Sequence, residues 1–271
     1  TYEEAGKRHQ VWLLDAPTAY NFLKFAQKQG VSGRALWYVG SEDPTLWSCF
    51  GKGHTPTAPQ ALQTVKYGFE LDFEGDGEVL DVATLPQTGA RVLSTDTQGR
   101  ITGERFTHYP TSCVLRRSGK AAKAIALTFD DGPDPRWTPA VLDALKSANV
   151  PATFFVTGVN AQEWPDLERR PFREDNDIEN HSVYHANVAQ VGEARTQLEL
   201  DATQRAIQAA TGRSTTLFRP PYGVDAQPST ATEVEPIAQA QKLGYVTVAE
   251  GIDPRDWESG AKKHTAEEIA A

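Results

Sequence analysis

Apolar positions in the C-terminal half of the chain alternate between two periods. Ala124–Phe129 is a continuous apolar run of strand length. Val141, Leu142 and Leu145 then recur at helical spacing behind Thr138 and Pro139, an N-cap with a first-turn proline. Ala152–Val156 is the next strand. Ala194–Ala210 is a long amphipathic helix stopped by Gly212, and Val234–Leu243 another stopped by Gly244, before a further strand at Tyr245–Ala249. Such alternation predicts parallel strands wrapped by helices, with any chemistry at the C-terminal ends of the strands.

The N-terminal half has a different texture. Residues 64–117 alternate polar and apolar over short runs such as Gly77–Ala83 and Gly89–Ser94, punctuated by Gly, Asp and Pro, which predicts a small β-rich module. Ala19–Gln29 carries a helical pattern closed by Gly30, and Arg34–Val39 reads as a short strand. The loop Gly51–Pro59 is the expected linker.

Composition places the 271 residues among globular proteins, with 39% hydrophobic and 23% charged. A net charge of −9 argues against a nucleic-acid surface and leaves no basic stripe for an anionic membrane. No apolar stretch is long enough to span a bilayer. The cysteines, Cys49 and Cys113, read as two separate buried thiols, with a disulfide as the alternative. Methionine is absent, even at position 1, so the sequence is read as an internal piece of something longer.

Candidate chemistry sits in three short runs. Thr128-Phe129-Asp130-Asp131-Gly132-Pro133 puts two adjacent carboxylates at the end of an apolar strand. His181-Ser-Val-Tyr-His185 spaces two imidazoles four residues apart, so one helical turn is expected to carry both on the same face. Arg219-Pro220-Pro221-Tyr222-Gly223 follows. One carboxylate with two histidines is a three-ligand set for a catalytic metal, and the other carboxylate is then free to act as a base. The same donors also make the facial triad of a non-haem iron oxygenase, which the extra carboxylate argues against.

Four ordered motifs carry a family resemblance: Leu-Thr-Phe-Asp-Asp-Gly-Pro at 127–133, Asn-His-Ser-Val-Tyr-His at 180–185, Phe-Arg-Pro-Pro-Tyr-Gly at 218–223 and Asp-Pro-Arg-Asp-Trp at 253–257. Together they resemble the polysaccharide deacetylase (NodB-homology) domain of carbohydrate esterase family 4. The resemblance implies an α/β fold, a deformed (β/α) barrel, here incomplete at its C-terminus. It also implies metal-dependent removal of acetyl groups from N-acetylglucosamine units of chitin, peptidoglycan or an exopolysaccharide. Asp131, His181 and His185 would hold a divalent metal, usually Zn²⁺, with Co²⁺ or Ni²⁺ as substitutes. Asp130 would be the general base and Arg219 its partner. The backbone N–H of Tyr222 would face the oxyanion, and Asp256 with Trp257 would support the family's general acid.

That acid is a histidine in a Leu-x-Leu-x-His strand, which residues 1–271 do not contain; His264 sits in a polar stretch only seven residues after Trp257. Its lack motivates an alternative, second to the deacetylase, of a catalytically impaired module that binds carbohydrate and metal without turnover. Glu179 and Ala186 stand where relatives usually have Gly and Pro. A second resemblance covers Val11–Asn21 and Ala35–Pro44, which look like the last strands of a family 18 glycoside hydrolase barrel, with Trp37 at the sugar floor. The expected organisation is a barrel remnant at 1–55, a β-rich spacer at 60–119 and the deacetylase domain at 120–271. The parent would be a multidomain bacterial protein of the cell envelope, commonly with a membrane glycosyltransferase.

Overall fold

The computed structural model describes residues 2–9, 14–36, 42–50, 58–67, 71–224, 228–258 and 264–270. Among these, no helix is long and apolar enough to cross a membrane. The chain divides into two compact units, one made of 1–69 and 84–112, the other of 70–83 and 113–271.

The first unit opens with a hairpin of β1 (Tyr2–Glu4) and β2 (Lys7–His9), then α1 (Ala16–Lys28). Asp15 caps α1, its Oδ1 accepting from Thr18 N at 2.8 Å, ahead of a proline in the first turn. β3 (Thr64–Val65) follows, and the chain then enters the second unit for β4 (Leu71–Gly75) and β5 (Val79–Thr84). It returns for the antiparallel pair β6 (Gly89–Thr95) and β7 (Ile101–His108), with β3 on the outer side of β6. Ala16, Tyr20 and Leu23 of α1 pack with Leu46, Leu62 and Ile101 to form the core. Arg91 is buried beside it, its Nη1 2.6 Å from Asp43 Oδ2 and 2.9 Å from Glu104 Oε1, its Nε donating to Leu62 O. A buried guanidinium persists only when so fully partnered.

The second unit resumes with β8 (Cys113–Ser118) and continues in strand–helix repeats: β9 (Thr128–Asp130), α2 (Thr138–Ala148), β10 (Thr153–Val156), α3 (Gly158–Glu163), α4 (Pro165–Arg173), β11 (Asp177–Asn180), α5 (Val188–Val191), α6 (Glu193–Thr211), β12 (Leu217–Phe218), α7 (Ala231–Lys242) and β13 (Val246–Val248), with α8 (Ala266–Ala270) last. The sheet has eight strands in the order β4-β8-β5-β13-β12-β11-β10-β9. β9 through β13 are parallel neighbours, whereas β5 joins β13 antiparallel, Leu80 opposite Thr247. Phe154 and Val156 of β10 pack with Leu142, Leu145 and Ile207 from α2 and α6. Val234, Ile237 and Ala238 of α7 cover Leu80, Val82 and Leu115.

Several expectations change. The strands sought in one β-rich module at 60–119 are divided between the units: β4, β5 and β8 belong to the large sheet. Among the described residues that sheet is open, with β4 and β9 as its outer strands. The apolar run at 124–129 yields a strand only from Thr128, because β9 is an edge paired on one side; Ile125 is 77% exposed. Thr138 is the first residue of α2 rather than its cap, and its Oγ1 accepts from Asp134 N at 2.8 Å. Residues 34–36 form no strand. Trp37, residues 11–13 and most of the Gly51–Pro59 loop lie outside the described residues. Cys49 and Cys113 are both free and buried.

Candidate metal centre and the groups around it

Each chemistry-bearing run lies at the C-terminal end of a parallel strand. Asp130 closes β9, and Asp131 turns away with φ +69°, so two carboxylates adjacent in sequence point differently. That turn is pinned from α3 and the residue before it: Asn160 Nδ2 donates to Asp131 O at 2.7 Å, and Thr157 N to Gly132 O at 3.1 Å.

The two histidines do not share a helical turn. His181 continues β11, donating its N–H to Val156 O at 3.0 Å, and the chain then bends through Ser182 (φ +66°) to His185 (φ +54°). The loop replaces helical hydrogen bonds with side-chain ones. Asn180 Oδ1 accepts from Ser182 N at 2.9 Å, and Glu199 Oε2 accepts from Val183 N and Tyr184 N at 2.8 and 2.9 Å. Left-handed backbone at non-glycine residues needs such support.

Asp131, His181 and His185 nevertheless converge, with one ligand atom from each all within 4.8 Å of one another. Asp131 Oδ1 lies 3.5 Å from His181 Nε2 and 3.3 Å from His185 Nε2. His181 Nδ1 lies 2.7 Å from Arg219 O, and a carbonyl can only accept, so Nδ1 carries the proton and Nε2 presents its lone pair to Asp131. Burial lowers the His181 pKa to about 4, which keeps the ring neutral and able to ligate. One carboxylate, two imidazoles and an open side (Asp131 is 67% exposed) fit a divalent metal such as zinc with room for water and substrate.

Asp130 faces a different partner. Arg219 Nη1 donates to Asp130 Oδ1 at 2.9 Å and to Thr128 Oγ1 at 2.7 Å. Its Nη2 and Nε reach Ala249 O and Val248 O at 3.3 and 3.4 Å, and the guanidinium stacks 4.2 Å from the Phe155 ring. Burial raises the Asp130 pKa, Arg219 opposes the rise, and the charge of Asp256 adds to it. Tyr222 has φ +69°, and its ring meets the edge of His185 at 4.6 Å. Trp257 is 71% exposed, its Nε1 donating to Asp253 Oδ2 at 3.2 Å. His264 lies 3.7 Å from Glu258 and 4.0 Å from Glu268.

Residues 117–248 match the polysaccharide deacetylase family. That segment belongs to it. The chain is 36% identical over 145 residues to a chitooligosaccharide deacetylase of Sinorhizobium fredii, covering 53% of this chain and 64% of the relative. It is 38% identical over 185 residues to a peptidoglycan-N-acetylglucosamine deacetylase of Bacillus cereus, covering 66% of this chain and 62% of the relative. A family 4 carbohydrate esterase structure from Streptomyces lividans, in complex with acetate, aligns at 34% identity and TM-score 0.46, over 54% of this chain and 69% of that one. The chain thus spans less than two thirds of the length of the two deacetylases it matches.

Three groups at the candidate centre have no role assigned from the motifs; of these, Thr128 lies within one, and Glu199 and Glu250 lie outside them. Thr128 shares the Arg219 guanidinium with Asp130. Glu199 arrives from α6 to brace the histidine loop. Glu250, just past β13, feels the charges of both Asp130 and Arg219, and burial raises its pKa. Only its position at a strand end could have pointed to Glu250: Asp131, His181, Arg219 and Glu250 each follow a parallel strand within two residues.

Proposed function

We propose that this chain hydrolyses the N-acetyl groups of N-acetylglucosamine units in a polysaccharide, releasing acetate. The observation that carries the reading is the convergence of Asp131, His181 and His185 beside the Asp130–Arg219 pair. Relatives named as acting on chitooligosaccharide and on peptidoglycan support that substrate class.

When bound by Asp131, His181 and His185, a divalent ion, in our reading Zn²⁺, would supply Lewis-acid polarisation of the acetyl carbonyl and acidify a water. Asp130 is then the base that takes the water's proton. Arg219 holds that carboxylate in place and favours its ionised form. The Tyr222 N–H is assigned to the developing oxyanion, where preorganised donors are worth most. Asp256 and Trp257 are assigned to the support of the acid that protonates the leaving amine. A cell-envelope setting follows from where such polymers lie, and the deformed barrel, the glycoside hydrolase remnant and the multidomain parent belong to the same reading.

The test is acetate release from chitooligosaccharides and from peptidoglycan fragments by zinc-loaded protein. Asp130→Asn should cost at least about 10²-fold. Undiminished release by Asp130→Asn would remove the assigned base. Stoichiometric zinc without any acetate would instead point to the module that binds carbohydrate and metal without turnover.

A further inference from the structure

The loop between the two histidine ligands is shaped by one side chain from a neighbouring helix. Glu199 is fully buried in α6, yet its Oε2 serves no group of that helix. That oxygen accepts the backbone N–H of Val183 at 2.8 Å and of Tyr184 at 2.9 Å, two of the three residues that separate His181 from His185. The other, Oε1, accepts from Arg195 Nε at 2.8 Å, one helical turn earlier, and the Arg195 guanidinium in turn lies 5.7 Å from the Tyr184 ring centre. The next residue of α6 holds the same loop, Leu200 O accepting from Asn180 Nδ2 at 3.0 Å.

A carboxylate taken fully out of water is costly unless it is paired and hydrogen-bonded. Glu199 meets both conditions, and its charge-assisted bonds fall on successive amides of a loop whose ends are left-handed at Ser182 and His185. Without an acceptor there, both N–H groups would be left unmade, and the chain would relax toward right-handed backbone that turns the His185 ring from Asp131.

We infer that Glu199 is a positioning residue for the metal centre: it fixes the backbone of 182–185 so that His185 Nε2 meets Asp131 and His181. The inference rests on the metal-site reading above. It places the control of metal affinity on a side chain that touches neither metal nor substrate.

The test measures Zn²⁺ affinity of the full chain by competition with a chromophoric chelator, alongside amide hydrogen exchange at Val183 and Tyr184. Glu199→Gln keeps the shape but removes the charge and the Arg195 pair. It should weaken Zn²⁺ binding about 10–100-fold and speed exchange at both amides, with the zinc-free thermal transition nearly unmoved. Affinity within twofold of the wild type, or unchanged exchange, overturns the inference. Should Glu199→Gln not fold, Arg195→Met leaves the carboxylate in place but unpaired, and a several-fold loss of Zn²⁺ affinity is expected; no loss overturns the inference equally. A wild-type chain that takes up no Zn²⁺ sinks the metal-site reading itself.

Discussion

The main-chain carbonyl of Arg219 lies 2.7 Å from Nδ1 of His181, while the side chain of the same Arg219 lies 2.9 Å from Asp130. One residue therefore orients a proposed metal ligand through its backbone and the proposed base through its guanidinium. The two roles can be separated by mutation. Arg219→Lys should leave Zn²⁺ affinity within a few-fold of wild type, because the carbonyl survives. It should cut the rate of acetate release about 10²-fold, since a point charge cannot reproduce the planar group whose Nη1 serves Asp130 and Thr128 while Nη2 and Nε reach Ala249 O and Val248 O. Equal losses of affinity and rate would show that the guanidinium shapes the whole centre.

Zinc should stabilise the fold through Asp131, His181 and His185. At a free concentration a hundred times Kd, the gain is about 2.7 kcal/mol, a rise in Tm of several degrees for a domain of this size. Differential scanning fluorimetry with and without Zn²⁺ reads it directly. His185→Ala should abolish the rise, and a rise that persists would place the ion elsewhere.

Glu168 gives the fold a pH dependence of its own. It is fully buried on α4, both carboxylate oxygens lack a hydrogen-bond partner among the described residues, and burial raises its pKa from 4.5 to about 8. A raised carboxyl keeps its proton in the folded chain after the unfolded chain has lost it. The contribution to stability is therefore complete below pH 4.5 and declines as pH rises towards about 8. Glu168→Met should remove this decline, raising stability at pH 8 by on the order of 2–3 kcal/mol relative to wild type. Urea melts at pH 5 and pH 8 measure it, and parallel slopes for the two proteins would refute it.

Gly158 brings the start of α3 against the histidine loop. Its N–H donates to Ser182 O at 3.0 Å, and a Cβ there would stand 2.8 Å from Thr203 Oγ1, 2.9 Å from Val183 Cγ2 and 3.0 Å from Thr203 Cα. Gly158→Ala should cost about 1–3 kcal/mol and weaken Zn²⁺ binding by displacing Val183. Gly33→Ala meets nothing within 4 Å and should fall within about 0.5 kcal/mol of wild type. Chemical denaturation of both variants checks the contrast; equal stabilities would mean the loop yields without cost.

The motifs at 127–133, 180–185 and 218–223 were legible because each compresses its chemistry into a few consecutive residues at a strand end. Helices α6 and α7 were legible for a similar reason: apolar period and a closing glycine are local signals. The histidine loop misled because His-x-x-x-His spacing fits a helix, and the left-handed turns at Ser182 and His185 use no glycine to announce themselves. Its brace, Glu199, lies sixteen residues beyond Val183 and looks in the sequence like any helical glutamate. The placement of β4, β5 and β8 was hidden for a different reason. Their alternation reports a half-buried strand but not its neighbour, and β5 reaches β13 across more than 160 residues.

The excursion of 84–112 out of the large sheet means that the family match and the folded sheet draw different borders here. The recognisable family segment begins at residue 117, yet the strand beside β13 is Val79–Thr84. A polypeptide trimmed to residue 117 would bare the backbone of Val246–Val248 as a raw edge. It would also uncover Val234, Ile237 and Ala249, which Leu80 and Val82 now shelter. The strip of chain upstream of the motifs is thus a sealant, carrying none of the chemistry and keeping the sheet behind it from sticking to its own kind.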